Sequence, residues 1–251
     1  MRLAPSRLTA SGPPRCFLAE MQPYYERDGI TIYHGDCREV LPGLGSDRWV
    51  LTDPPYNIGY KYLSYGDKLS QGEYWQLLRE SLGTRFVVVH YPESVCELSV
   101  QLGEAPAKVV AWVYNSPLLR QWRAVAWFGI SPDFQLDSQP YKNPTDKRVA
   151  ALIENGRMCR LYDWWHVQQV KNVSEEKTQH PCQIPIEVNR KIIRITQESG
   201  TILDPFMGSG TTLVAAKLEG RKAVGIEIEE RYCEIAANRL AQGVFDFSEA
   251  I

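Results

Sequence analysis

The sequence predicts an α/β domain organised around a largely parallel sheet, and three observations carry that expectation. Short strand-like segments alternate with helical ones in the first hundred residues and again in the last seventy. RFVVVHYP (residues 85–92) is a continuous apolar run of the kind found in strands buried on both faces. The composition, 44% hydrophobic and 23% charged over 251 residues, is that of a folded chain long enough for one sheet with one sizeable insertion.

The elements follow in order. Residues 1–20, with Arg2 and Arg7 ahead of Gly12-Pro13-Pro14, read as a disordered leader without the apolar run of a signal peptide, so that Met21 competes with Met1 as the natural start. GITIYHGD (29–36) alternates β-branched and polar residues and stops at Gly35-Asp36, as a strand and its turn do. RWVLTDPPY (48–56) is a second strand, halted by two prolines. Tyr74, Leu77, Leu78 and Leu82 share a helical face that Gly83 closes, and the apolar run 85–92 follows as the next strand. From about residue 108 to 169 the rhythm changes to aromatic strand-like runs broken by turn-rich sequence, which predicts antiparallel or irregular strands. The α/β pattern returns with a helix opened by Pro185, a strand at GTILDPF, a helix to Gly220, a strand at KAVGIEI and a last helix bearing Tyr232, Ile235, Ala236 and Leu240.

Bulk chemistry excludes several classes. Six cysteines form no C-x-x-C pair and only four histidines accompany them, so neither a disulfide framework nor a zinc site is expected, and no other metal; a reducing cytoplasm fits. No run of about 18 apolar residues is present to span a membrane. With 28 basic against 30 acidic side chains, the net charge of −2 gives no electrostatic indication of a nucleic-acid partner.

Two motifs carry chemistry. The first is strand, glycine turn, helix, strand over residues 200–227. Gly208 and Gly210 let the backbone turn sharply and approach a ligand, and the helix that follows offers free N–H groups. Glu227 ends the next strand, 19 residues beyond Gly208, where a carboxylate meets ribose hydroxyls in dinucleotide-type folds. A phosphate loop is excluded, because no Gly-Lys-Ser/Thr is present. Asp204 at the strand end would repel the pyrophosphate of a nicotinamide dinucleotide, yet it suits the ammonium of an amino-acid moiety such as that of S-adenosylmethionine.

The second motif is Asp53-Pro54-Pro55-Tyr56, at the carboxyl edge of a strand. The prolines fix φ and stop the strand, so the Asp53 carboxylate and a proline carbonyl can be aimed at the two hydrogens of one exocyclic amino group. Such acceptors favour a pyramidal nitrogen and free a lone pair otherwise delocalised into an aromatic ring. Tyr56 supplies a π-face for a base.

The ordered pair DPPY (53–56) and DPFMGSGTT (204–212) resembles the β-class N6-adenine/N4-cytosine DNA amino-methyltransferases, and the likeness extends over roughly residues 28–242. It implies a Rossmann-like, circularly permuted S-adenosylmethionine-dependent methyltransferase sheet with a small β-rich target-recognition insertion. The catalytic half would be residues 21–116, the insertion 117–172 and the donor-binding half 173–245. It further implies that Asp53, Pro54, Pro55 and Tyr56 hold and activate a base flipped from duplex DNA. Asp36, with Cys37 beside it, would approach the donor adenine and Glu227 its ribose. Asp204, Pro205, Phe206, Gly208, Ser209, Gly210, Thr211 and Thr212 would surround the methionine part, and His180 and Pro181 would close the pocket. The more usual form of that closing motif carries Lys where Ile184 stands.

Acid at the head of the tetrad favours adenine N6 over cytosine N4. The alternatives are the cytosine-N4 enzyme and a catalytically silent module that grips donor and DNA. Pro181-Cys182-Gln183 imitates the nucleophile motif of C5-cytosine enzymes, but it precedes the glycine turn instead of following it. Residues 117–172 hold eight basic against five acidic groups, so the overall −2 conceals a local +3. Arg120, Lys142, Lys147 and Arg148, interleaved with aromatics, are phosphate candidates. A restriction-modification setting and a homodimer are compatible with this reading.

Overall fold

The computed structural model describes residues 22–60, 66–117, 119–171, 174 and 176–242; the expected leader lies outside them. The elements in chain order are β1 (Tyr25–Arg27), β2 (Ile30–His34), α1 (Cys37–Val40), β3 (Arg48–Thr52), α2 (Gln71–Leu82), β4 (Phe86–His90), α3 (Pro92–Leu102), β5 (Lys108–Val113) and β6 (Trp122–Phe128). They continue with β7 (Ser138–Gln139), α4 (Lys147–Glu154), β8 (Cys159–Arg160), β9 (Trp164–His166), α5 (Ile186–Ile195), β10 (Thr201–Asp204), α6 (Thr211–Leu218), β11 (Ala223–Glu227) and α7 (Glu230–Ala241).

Among the described residues, nine strands form one sheet in the order β1-β2-β11-β10-β3-β4-β6-β5-β9. The run from β2 to β4 is parallel, and β6 is antiparallel to both β4 and β5. The permuted order is explicit here, because the late strands β10 and β11 insert between the early strands β2 and β3.

Alternation along the strands builds two core layers. Trp49, Leu51, Val87 and Val89 pack with Ile192, Leu213 and Ala236 from α5, α6 and α7. Val50, Phe86 and Val88 face the other way, onto Val40, Leu78 and Leu98 from α1, α2 and α3. Each such side chain contributes roughly 1.5–3 kcal/mol on burial, which fixes the register of the central strands. Local signals agree with the layers. Ser70 and Glu73 form a reciprocal cap on α2, and Gly83 ends it at φ 66°. Pro185 is the cap residue of α5, whose first helical residue is Ile186.

The connections β3–α2–β4 and β10–α6–β11 leave two neighbouring strands in opposite directions and lay their helices on opposite faces. This is a topological switch point, and the crevice it opens lies beyond the carboxyl ends of β3 and β10.

Residues 117–172, expected as a β-rich insertion, divide differently. β6 and β9 join the main sheet, because Ala124 to Phe128 and Trp165 are apolar enough to be buried there. Off the sheet stand the two-residue ribbon of β7 and β8 and the helix α4, which buries none of its residues.

Candidate active site

Four adjacent parallel strands each end on an acid. Asp36 follows β2, Glu227 closes β11, Asp204 closes β10 and Asp53 follows β3. In-register pairing sets them side by side along one edge, with Glu227 opposite His34 and Leu203 opposite Val50. One cleft is lined by Asp36, Asp53, Tyr56, His180, Gly208 and Glu227, and a smaller recess behind it by Asn189, Asp204, Ser209, Thr211 and Thr212.

Hydrogen bonds tie the glycine turn to its neighbours. Asp204 Oδ1 accepts from Thr52 Oγ1 at 2.7 Å and from the Phe206 N–H at 3.1 Å, and Oδ2 accepts from Thr212 Oγ1 at 2.5 Å. The carboxylate therefore ties β10 to β3 and to α6 while one lone pair of Oδ2 stays open. Glu227 accepts from the N–H groups of Gly208 and Glu229, both at 2.9 Å. Burial pushes the Asp204 carboxyl up to about 6 and that of Glu227 up to about 7, against the lowering effect of those donors. At Asp36 the balance is reversed: Arg38 hydrogen-bonds the carboxylate and lowers its pKa.

Gly208 has φ +51°, and a Cβ there would stand 2.8 Å from His180 Nε2. His180 packs edge-on against Tyr232 at 4.6 Å. Burial lowers its pKa to about 4, so it is neutral, and its Nδ1 is buried without a partner. A second orphan, Asn189 Oδ1, lines the recess with Asp204. An acceptor, a carboxylate and a backbone stripped of Cβ fit the ammonium of the amino-acid end of S-adenosylmethionine.

The tetrad is held differently. The Tyr56 hydroxyl donates to Asp53 Oδ1 in a short bond. His90 stacks on the Tyr56 ring at 4.3 Å, and Tyr91 meets it edge-on at 4.6 Å, so the π-face expected for a base is partly taken. His90 is itself fixed by the Tyr74 hydroxyl at 2.8 Å and the Tyr91 N–H at 2.8 Å, and burial holds it neutral with a pKa of about 3. Burial raises Asp53 to about 6, although Arg123 and Tyr56 lower it. The loop beyond the tetrad is pinned by Asp67, 2% exposed, whose carboxylate accepts from the N–H groups of Asn57, Ile58 and Tyr60.

Several expected residues are placed less directly. Cys37 turns its thiol to Ser81 Oγ at 3.5 Å, inside the α1–α2 packing, though it borders the cleft. Pro181 is exposed and outside both linings, so of that pair only His180 borders the cleft. Gly210 caps α6 at φ +78° against Ala236 of α7, and a Cβ there would lie 2.7 Å from the Ala236 methyl. Ile184 is a core residue, with no polar contact to offer at the usual lysine position.

Arg120 lies over the Tyr91 ring at 4.1 Å, beside the tetrad, and Lys142 caps the Tyr162–Trp164 stack. Lys147 and Arg148 are exposed in the first turn of α4. The residues that sequence reading passed over are Arg123, His90, Tyr91, Asp67 and Asn189. Arg123 carried one signal: it is the charge at the head of the apolar run RAVAWFGI.

A permuted, doubly wound sheet with a donor-type glycine turn beside an Asp-Pro-Pro-Tyr tetrad defines a methyltransferase acting on an amino group. The sequence profile of the DNA methylase family matches residues 110–238. The type II methyltransferase M2.DpnII of Streptococcus pneumoniae is 43% identical over 253 residues, covering 87% of this chain and 92% of that protein. Among solved structures, the PvuII DNA methyltransferase (cytosine-N4-specific) aligns with a TM-score of 0.64 at 18% identity, over 90% of this chain and 91% of that one. The M1.HpyAVI–SAM complex aligns at 0.54 and 25% identity, over 84% and 99%. The chain belongs to the N6-adenine/N4-cytosine DNA methyltransferase family, and S-adenosylmethionine is its methyl donor.

Proposed function

We propose that the protein methylates adenine N6 in DNA, on a base flipped into the cleft. The observation that carries this is the adjacency of β3 and β10, which sets the tetrad's acceptors against the glycine turn through the Thr52–Asp204 hydrogen bond. When bound, S-adenosylmethionine would supply an electrophilic methyl on its sulfonium; the nitrogen lone pair would form the N–C bond as the C–S bond breaks to leave S-adenosylhomocysteine, and one amino proton would pass to solvent.

The chain's part is to hold and polarise. Asp53 and the Pro54 carbonyl accept the two amino hydrogens, pyramidalising the nitrogen, with Pro55 keeping the turn rigid and Tyr56 bearing on the base once its hydroxyl leaves Asp53. Gly208, Asp204, Phe206 and Asn189 hold the methionine end, Asp36 and Glu227 the nucleoside, and His180 closes over it. Ser209, Thr211 and Thr212 shape the recess. Arg120, Lys142, Lys147 and Arg148 track phosphates, and the part of 117–172 outside the sheet reads the target.

Acid at the head of the tetrad supports adenine. The fold likeness to the PvuII enzyme favours cytosine N4 as the second reading. We place the protein with type II modification enzymes in a prokaryotic cytoplasm, as a monomer or homodimer. Among the described residues no helix is long and apolar enough to cross a membrane.

Incubating the chain with duplex DNA and methyl-labelled donor, then resolving the nucleosides by mass spectrometry, tests the reading. N6-methyladenine is the expected product. N4-methylcytosine would transfer the assignment to the second reading, and donor binding without any modified base would leave a silent module.

A further inference from the structure

Arg123 is a poor stabilising residue by ordinary criteria. It sits near the start of β6, on the face shared with Val125 and Trp127. Its side chain is 13% exposed, its nearest carboxylate oxygen, Asp53 Oδ2, is 3.6 Å away, and its Nε is buried without a partner. Three rings surround it, Tyr56 at 5.0 Å, Trp112 at 5.5 Å and Tyr91 at 5.7 Å. A buried guanidinium with one long ion pair costs desolvation that an apolar side chain of similar volume would avoid. What the position supplies is a fixed positive charge against the tetrad.

We propose that Arg123 is a positioning residue for methyl transfer, its caged guanidinium fixing both the orientation and the charge of Asp53 so that the carboxylate meets the incoming amino group purely as an acceptor. The inference rests on the reading of Asp53 given above. Because β6 runs antiparallel to β4, its first residues reach the same edge as the carboxyl ends of the parallel strands. A strand outside the parallel set thereby delivers a charge to the switch point. The ring cage leaves the guanidinium little freedom, and the Tyr56 hydroxyl holds the other carboxylate oxygen.

The groups facing Asp53 and Arg123 account for the electrostatics. Around Asp53 stand Tyr56 from its own turn, Asp204 from β10, Cys182 from the segment before α5 and Arg123 from β6; Tyr91 and Tyr114 face Arg123, and His90 is neutral. Arg123 is the cation among them nearest to Asp53, and it opposes both burial and Asp204, which push the carboxyl up. A protonated Asp53 would present a donor to a nitrogen whose hydrogens need acceptors.

The test compares Arg123→Gln and Arg123→Lys with the unaltered chain, reading kcat/KM against pH and S-adenosylhomocysteine affinity. The unaltered chain should lose activity on the acid side near pH 6. In Arg123→Gln that fall should move up by about 1–3 units, giving a loss of roughly 2- to 100-fold at pH 7 that shrinks to about 2-fold or less by pH 9, with S-adenosylhomocysteine affinity within about 2-fold. Carboxyl 13C titration of Asp53, assigned through Asp53→Asn, should move by the same amount. Arg123→Lys, which keeps the charge, should stay within about half a unit. An unmoved acid fall in Arg123→Gln, a loss equal at all pH values, or a shift in Arg123→Lys as large as in Arg123→Gln would overturn the proposal. If Arg123→Gln does not fold, Arg123→Met, which keeps much of the volume and removes the charge, is read in its place, with the same upward shift expected and an unmoved fall overturning the proposal. Full transfer by Asp53→Ala would instead remove the reading of the tetrad itself.

Discussion

The two strand ends that meet at the switch point are built on opposite principles. At β10 the buried Asp204 accepts three hydrogen bonds and the backbone of Gly208 is held by Glu227. Its geometry is complete before any ligand arrives, and two orphaned groups, His180 Nδ1 and Asn189 Oδ1, await one. At β3 the tetrad is closed on itself: Tyr56 donates to Asp53, His90 covers the ring, and Arg123 holds the remaining oxygen. The donor side is preorganised, whereas on the proposed function the Tyr56–Asp53 hydrogen bond on the target side would be exchanged for one to the substrate. A protein that binds a soluble donor often and a flipped base rarely can separate the two tasks in this way.

The sharpest way to break the comparison is to damage one side alone. Asp53→Ala should lower kcat by about 1,000-fold or more while donor affinity, measured by calorimetry, stays within about 3-fold. Gly208→Val should do the reverse, weakening donor binding by at least about 100-fold, because a β-branched residue is strained at φ +51° and its Cβ would stand 2.8 Å from His180 Nε2 in the cleft. Asp67→Asn removes an anionic acceptor from three N–H groups and loosens the loop after the tetrad. The KM for DNA should rise by about 10-fold with donor affinity unchanged.

Stability against pH sharpens the same contrast. Asp204 and Glu227 hold their protons more tightly when folded, with values near 6 and 7 against ordinary ones of 3.8 and 4.5. Folding is therefore favoured below the ordinary values, and that advantage is lost as pH rises through 6 and 7. His90 and His180, held near 3 and 4 against an ordinary 6.5, oppose this by weakening folding as pH falls below about 6.5. The carboxyl contribution is therefore isolated by difference: in scanning calorimetry of the donor-free protein, Glu227→Gln should gain more Tm relative to the unaltered chain at pH 8 than at pH 5. Asp36, held low by Arg38, works in the opposite sense and at more acid pH. The smallest effect belongs to the periphery: neutralising Lys147 and Arg148 together should reduce the salt slope of DNA binding by about 2, and an unchanged slope would remove them from the phosphate path.

The fold and both motifs were legible because each is local. Asp53-Pro54-Pro55-Tyr56 and the turn from Asp204 to Gly210 carry their geometry in neighbouring residues, and the buried strands announce themselves as apolar runs. Arg123 was not legible as part of the site, because its place beside Asp53 depends on β6 pairing antiparallel with β4. Which strands of residues 117–172 join the main sheet was not legible for a related reason. An apolar run such as Ala124 to Phe128 says that a strand is buried, but not which sheet buries it.

The insertion of β10 and β11 between β2 and β3 has a consequence for how the chain is made. When β3 leaves the ribosome, its final neighbour will not exist for another hundred and fifty residues, roughly 10–30 s at ordinary synthesis rates. Over that interval the early half carries two unpaired strand edges that finally lie about 14 Å apart, three strand spacings with two places vacant. The closing unit β10–α6–β11 arrives as one piece and fills both. A chain cut between β9 and α5 should therefore reassemble from its two fragments, with methyl transfer appearing only when the C-terminal piece slots into the gap.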